Sequence, residues 1–196
     1  MTGDTQILLG ALAALLGVAG YAFYFRSIFR GETKPHFFTW FIYFLLDIIV
    51  FTAQVLNGAG PGAWVTLTGL IGTFCVSVVA LRQGKKNIRW SDWVSFVAAL
   101  IAIVLWRMTG DALIAVIIAS VINFLAMYPT FRKSFSRPEE ESITIWLFDA
   151  VRFVIGIAAL STLSLTTALF PAALVTGNAL LILMILVRRW QLTKTA

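Results

Sequence analysis

Three ionisable side chains, Asp47, Asp149 and Arg152, stand inside long apolar runs. If those runs cross a bilayer, a central Asp or Arg costs about 2.5 to 3.5 kcal/mol to insert, so such groups persist because they pair or because they work. Trp40, Tyr43, Asp47 and Gln54 follow one another at intervals of 3, 4 and 7 residues, which places them on one helix face that should point inward. Trp146, Asp149 and Phe153 repeat the spacing of Trp40, Tyr43 and Asp47, with Arg152 one position off the stripe. Asp149 and Arg152 can pair along their own helix at i and i+3. Two acids and one base leave one formal negative charge, suited to reversible binding of a proton or a cation. The competing reading is a structural ion pair that fixes helix packing. Thr66, Thr68 and Thr73 in one apolar run, Thr176 and Asn178 in another, and Asn123 in a third supply neutral hydrogen-bonding groups. They can bind a solute or a neighbouring helix.

Composition decides what must hold these residues. Of the 196 residues 60% are apolar and 12% charged, with a mean hydropathy of +0.91, whereas a soluble domain is about a quarter charged. Apolar runs between charge, Gly and Pro punctuation predict spans near 6 to 28, 36 to 57, 62 to 82, 91 to 108, 111 to 131, 142 to 161 and 166 to 188. The first run has no basic residue ahead of it and reads as a retained helix, not a cleaved leader. The expected fold is therefore an all-α integral membrane protein with seven transmembrane helices.

The connections alternate in charge. Arg26, Arg30 and Lys34, then Arg82, Lys85, Lys86 and Arg89, then Arg132, Lys133 and Arg137, and finally Arg188, Arg189 and Lys194 fall on one side: thirteen of the fifteen Lys and Arg residues. Only Arg107 and Arg152 lie elsewhere. The positive-inside rule makes that side cytoplasmic and puts the N-terminus outside, as expected for a plasma-membrane protein. Basic residues spread over short loops point to membrane lipids as partners, not to nucleic acid. Trp90, Trp93, Trp106 and Trp190 lie near span ends, where amphipathic rings favour the interface.

Internal similarity groups the spans. The segment FRSIFRGETKPHFFTW at 25 to 40 aligns without gaps on FRKSFSRPEEESITIW at 131 to 146, with Phe25, Arg26, Phe29 and Trp40 matching Phe131, Arg132, Phe135 and Trp146. PGAW at 61 and PAAL at 171 both read as openings of the third span of their unit. Two parallel three-helix units, residues 1–89 and 111–196, need an odd span between them, and the run within 90–110 supplies it. On helix one, Gly10, Ala14, Gly17 and Tyr21, at intervals of 4, 3 and 4 residues, predict close packing, and Cys75 is read as a packing residue.

With the repeat in view, YPTFRKSFSRPEEESITIW resembles the signature of the SWEET and PQ-loop transporter superfamily, in which a Pro near the end of a unit's first helix precedes a basic stretch and a Ser-containing entry to the second. Pro129, Arg132, Lys133, Ser142 and Thr144 stand in those places, Thr130 replaces the glutamine of the Pro-Gln pair, and Phe23 and Tyr24 occupy the position of the first unit's proline. The resemblance implies a SWEET-like 3+1+3 bundle that carries a small polar solute by alternating access. It also admits a non-transporting receptor or scaffold like the KDEL receptors. By the same resemblance Asn178 and Thr68 are pocket residues of the two third helices, alongside aromatic residues. The residue pattern itself adds Trp40, Tyr43 and Trp146 as walls, Asn123 as a further polar group, and Asp47, Asp149 and Arg152 as intramembrane charges.

An enzyme is not expected. His36, the sole histidine, has no His or Cys at ligand spacing, so no metal or other cofactor is expected, and no P-loop, dinucleotide fingerprint, intramembrane hydrolase motif or nucleophile elbow is present. The sequence leaves solute and oligomeric state open.

Overall fold

The computed structural model describes residues 3–31, 35, 37–83, nine positions between 90 and 108, 111–141 and 143–195. His36, Trp106, Arg107 and Ser142 lie outside the described residues, as do the side chains of Pro129, Arg132 and Lys133. Among the described residues there are seven helices and no strand. They are α1 (Gly3–Phe29), α2 (Phe37–Leu56), α3 (Trp64–Gln83), α4 (the described positions within 90–108), α5 (Ala112–Ser136), α6 (Ile143–Ala158) and α7 (Leu165–Thr195), with short 3-10 turns at Gly60–Ala63 and Pro138–Glu140. Three helical stretches, Gly3–Phe29, Gly60–Arg82 and Leu165–Lys194, are long and apolar enough to cross a membrane, and Trp40–Leu56 and Ala112–Met127 are shorter apolar helices.

Large apolar side chains cover the outside: Leu8, Leu15, Phe23, Leu81, Leu125 and Leu183 are all exposed. A water-soluble surface could not carry so many, whereas lipid tails solvate them. The interior combines aliphatic clusters with buried polar groups, among them Asp47, Gln54, Thr73, Asn123 and Asn178. Trp90, Trp93 and Trp190 are exposed, as interface rings would be.

The helices pack in a repeated pattern. In the first triad α3 contacts both α1 and α2, and in the second α7 contacts both α5 and α6. Between the triads α1 packs on α6 and α2 on α5, while α2 touches α7 and α3 touches α6. Exchanging α1 with α5, α2 with α6 and α3 with α7 maps this set of neighbours onto itself. Small residues permit the close approaches, since a Cβ on Gly10 would fall 2.5 Å from the Pro61 carbonyl oxygen and one on Gly17 would fall 2.6 Å from Thr68 Oγ1. Cys75 is half-buried and forms no disulfide.

The turns at 57–63 and 159–164 interlock at one end of the bundle. Gly58 and Gly60 adopt φ of 72° and 60°, a left-handed backbone that favours glycine. Ser161 N donates to Ala59 O at 2.9 Å. Gln6 Nε2 donates to Leu160 O at 3.1 Å, and Ser161 Oγ donates to Gln6 Oε1 at 3.3 Å. Ser164 begins α7 with a reciprocal cap: Thr167 N donates to Ser164 Oγ at 3.3 Å and Ser164 N donates to Thr167 Oγ1 at 3.0 Å.

Two sequence expectations shift here. Pro61 opens the 3-10 turn before α3, but Pro171 lies inside α7. With no N–H, it frees the Thr167 carbonyl four residues earlier. Gln54 Nε2 of α2 donates to that oxygen at 2.8 Å, which ties the two triads together. In addition, α7 continues past the expected end at 188 to Thr195, because its basic last turns gain helical hydrogen bonds while their charges reach the interface.

Candidate functional site

The intramembrane charges are brought to the junction of the triads. On α2, Asp47 is 8% exposed and accepts a hydrogen bond from Thr73 Oγ1 of α3 at 3.1 Å. Gly69 presents bare backbone to the same carboxylate, so that even a Cβ there would stand 3.4 Å from Asp47 Oδ2. The Thr73 hydroxyl also lies 2.9 Å from Gly69 O and 3.2 Å from Leu70 O in the preceding turn, so its single proton has three competing acceptors.

On α6 the expected i, i+3 pair forms. Arg152 donates through Nε at 2.7 Å and Nη2 at 2.6 Å, both to Asp149 Oδ1. This leaves Asp149 Oδ2 to accept from Asn178 Nδ2 of α7 at 2.8 Å. Asn178 is 1% exposed, so its amide is shut away from bulk solvent. Each triad thus places an acid of its second helix against a hydrogen-bond donor of its third.

The guanidinium reaches across to the first triad. Its carbon lies 5.9 Å from the centre of the Tyr21 ring on α1 and 4.5 Å from that of Phe153. Tyr21 OH donates to Gly69 O at 3.3 Å, and its ring fills the space that the absent side chain of Gly72 leaves. Arg152 Nη1 is buried with no hydrogen-bond partner among the described residues. It faces α1, where a Cβ on Gly17 would come within 3.1 Å. An unpartnered buried donor of a charged group is costly, and it is suited to an acceptor that arrives with a ligand or a water.

An aromatic group adjoins the charges on the side of the basic helix ends. Trp40 packs against Tyr24, Tyr43 and Tyr21 with ring centres 4.9, 6.2 and 6.5 Å apart. These flat apolar faces with polar tips border Arg152 through Tyr21. The arrangement offers a carboxylate with one hydroxyl donor, a saturated ion pair, a spare guanidinium nitrogen and stacking surfaces.

Of the residues singled out in the sequence, Asp47, Asp149, Arg152 and Asn178 are brought together, with Trp40 and Tyr43 alongside. Thr68 faces Gly17 at the same junction, although its hydroxyl donates to Val65 O at 2.8 Å within α3. Asn123 shows no hydrogen bond to these groups among the described residues. It is buried, and its Nδ2 lies 3.8 Å from Met127 Sδ one turn along its own helix. Trp146, expected as a further wall, makes its contacts within the second triad. Its Nε1 donates to Glu141 Oε1 at 3.1 Å, and its ring packs on the Met127, Leu181 and Ile185 cluster of the second triad.

Three contributors carry no assignment to the site in the sequence. Tyr21 and Gly17 read there only as packing along α1, and Thr73 is one of several threonines with no stated partner. The available signal is the pattern of small residues, Gly69 and Gly72, flanking Thr73 on α3 opposite a helix that carries Gly17 and Tyr21. No family model, curated protein or solved structure matches the chain.

Proposed function

We propose that the protein is a carrier for a small polar solute, built as two parallel three-helix units joined by α4, with its N-terminus outside and its basic ends in the cytoplasm. The observation that carries the reading is the doubled acid and donor arrangement at the junction, Asp47 with Thr73 and Asp149 with Asn178. A purely structural ion pair calls for Asp149 and Arg152 alone. A second, separately held carboxylate with no cation of its own is the expected equipment for binding a proton or a cationic group. The exchangeable pattern of helix neighbours supports the repeat, and parallel repeats about an axis along the membrane normal are a transporter architecture with its site at the repeat interface. The SWEET and PQ-loop resemblance points the same way.

In this reading the solute lies between Asp47, Arg152 Nη1 and the Trp40 aromatic group, and Asn178 holds Asp149 in place. The interlocked turns close the outer end. A seven-helix receptor that binds without transporting is the second reading, favoured by the hydrogen bonds that join the triads at those turns. Purified protein screened by thermal shift against sugars, amino acids, nucleosides and amines tests the site itself. A stabilising compound should lose its effect in Asp47→Asn while the variant remains folded. Stabilisation that survives Asp47→Asn places binding elsewhere.

A further inference from the structure

Away from the junction, an open groove of about 420 Å³ runs along the outer face of α7 beside the end of α5. Its floor is Leu180, Leu183, Met184 and Val187, which share one helix stripe. Phe135 of α5 forms the facing wall, and Arg188 stands at the basic end of the groove. Leu180, Leu183 and Phe135 are more than half exposed, so the groove needs a cover.

The mouth is built more firmly than a surface arginine requires. Arg188 Nε donates to Phe135 O at 3.0 Å and Nη1 donates to Gln191 Oε1 at 2.8 Å. The guanidinium carbon lies 4.3 Å from the centre of the Phe135 ring. These contacts hold the side chain across the mouth. From Leu180 to Gln191 the stripe covers about 16 Å at 1.5 Å per residue, the reach of much of one acyl chain.

We propose that this groove is a binding site for an anionic phospholipid of the leaflet at the basic end, with one acyl chain along α7 and the headgroup phosphate on Arg188. The occupant follows from charge and position. An apolar channel in a membrane-facing surface is filled by lipid, and a fixed guanidinium at the headgroup level selects the anionic species, as basic pockets between spanning helices do. Trp190, with Lys194 Nζ 3.8 Å from its ring centre, continues the interfacial chemistry beyond the mouth. The site does not depend on the transport reading.

Native mass spectrometry of the full chain in detergent, with phosphatidylglycerol or phosphatidylcholine added, tests the site. The wild type should retain phosphatidylglycerol about fivefold more than phosphatidylcholine, the order expected of one interfacial arginine. Arg188→Gln should bring that ratio close to one, whereas Arg82→Gln, at an exposed arginine of the same end, should leave it unchanged. Leu183→Trp, on an exposed position that leaves the arginine intact, should fill the groove and reduce retention of both lipids, which keeps the test decisive if Arg188→Gln does not fold. A phosphatidylglycerol preference that survives Arg188→Gln, or undiminished retention of both lipids in Leu183→Trp, overturns the site. So does displacement of phosphatidylglycerol by millimolar inorganic phosphate, which would mark a free-anion site.

Discussion

Arg152 is the side chain on which the junction depends. It places two nitrogens on Asp149, sits near Tyr21 and leaves Nη1 toward α1. Removing one partner of a buried pair is far worse than removing both, because the survivor keeps its desolvation cost. Arg152→Leu should therefore lower stability in detergent by about 3 to 5 kcal/mol. The double variant Asp149→Asn with Arg152→Leu should recover much of that loss, since an amide at position 149 can still accept from Asn178. Thermal unfolding by intrinsic fluorescence measures both. Equal instability of the single and double variants would show that the arginine acts through something other than its pair with Asp149. This pair was legible in the sequence because i, i+3 spacing fixes it within one helix. The partners from other helices were not, since neither Thr73 nor Tyr21 carries any local mark of the residue it faces.

At the scale of the element, a single proline links the two triads. Pro171 deprives Thr167 O of its helical donor, and Gln54 from α2 supplies one at 2.8 Å. Gln54→Leu should cost about 0.6 to 1.7 kcal/mol, the range of hydrogen bonds between membrane helices. In a Pro171→Ala background the backbone N–H regained at that position can return to Thr167 O, so the same substitution should cost less. A double-mutant cycle read by thermal unfolding gives the coupling, and strict additivity would contradict the link. Helix positions were readable from apolar runs because lipid imposes length and composition on a span. Helix ends were less so: α7 extends to Thr195 because amphipathic basic turns satisfy both helix and interface, a balance that hydropathy alone does not register. The Pro61 and Pro171 match reads in the sequence as two equivalent helix openings, yet one starts a 3-10 turn and the other sits within a helix, since aligned letters carry no information on where the first turn begins.

For the whole molecule, the apolar surface and three long apolar helices fit a bilayer, and the charge of the connections predicts a direction. In the sequence thirteen of the fifteen Lys and Arg residues fall in alternate connections and the tail, which predicts that this side faces the cytoplasm. In a Cys75→Ser background, Leu163→Cys, at an exposed position of the 159–164 turn, should react with a membrane-impermeant maleimide in intact cells, and Lys194→Cys only after permeabilisation. The opposite pattern would invert the topology and move the closed turns to the cytoplasm. The proposed grouping of helices rests in the sequence on a short repeat around Trp40 and Trp146. Those two tryptophans themselves diverge: Trp40 joins the tyrosines beside the junction and Trp146 packs within its own triad on Glu141 and Met127.

In the proposed function a solute crosses the membrane by way of the cluster of Asp47, Asp149, Arg152 and Asn178. Reconstituted proteoliposomes, loaded with or exposed to radiolabelled compounds from the stabilisation screen, test it most directly. Time-dependent, saturable flux is predicted with wild-type protein, reduced about tenfold or more in Asn178→Ala and in Asp47→Asn, the loss expected when a buried hydrogen bond to a charged group is removed. Absence of flux for every compound that binds, or full flux in both folded variants, would contradict it.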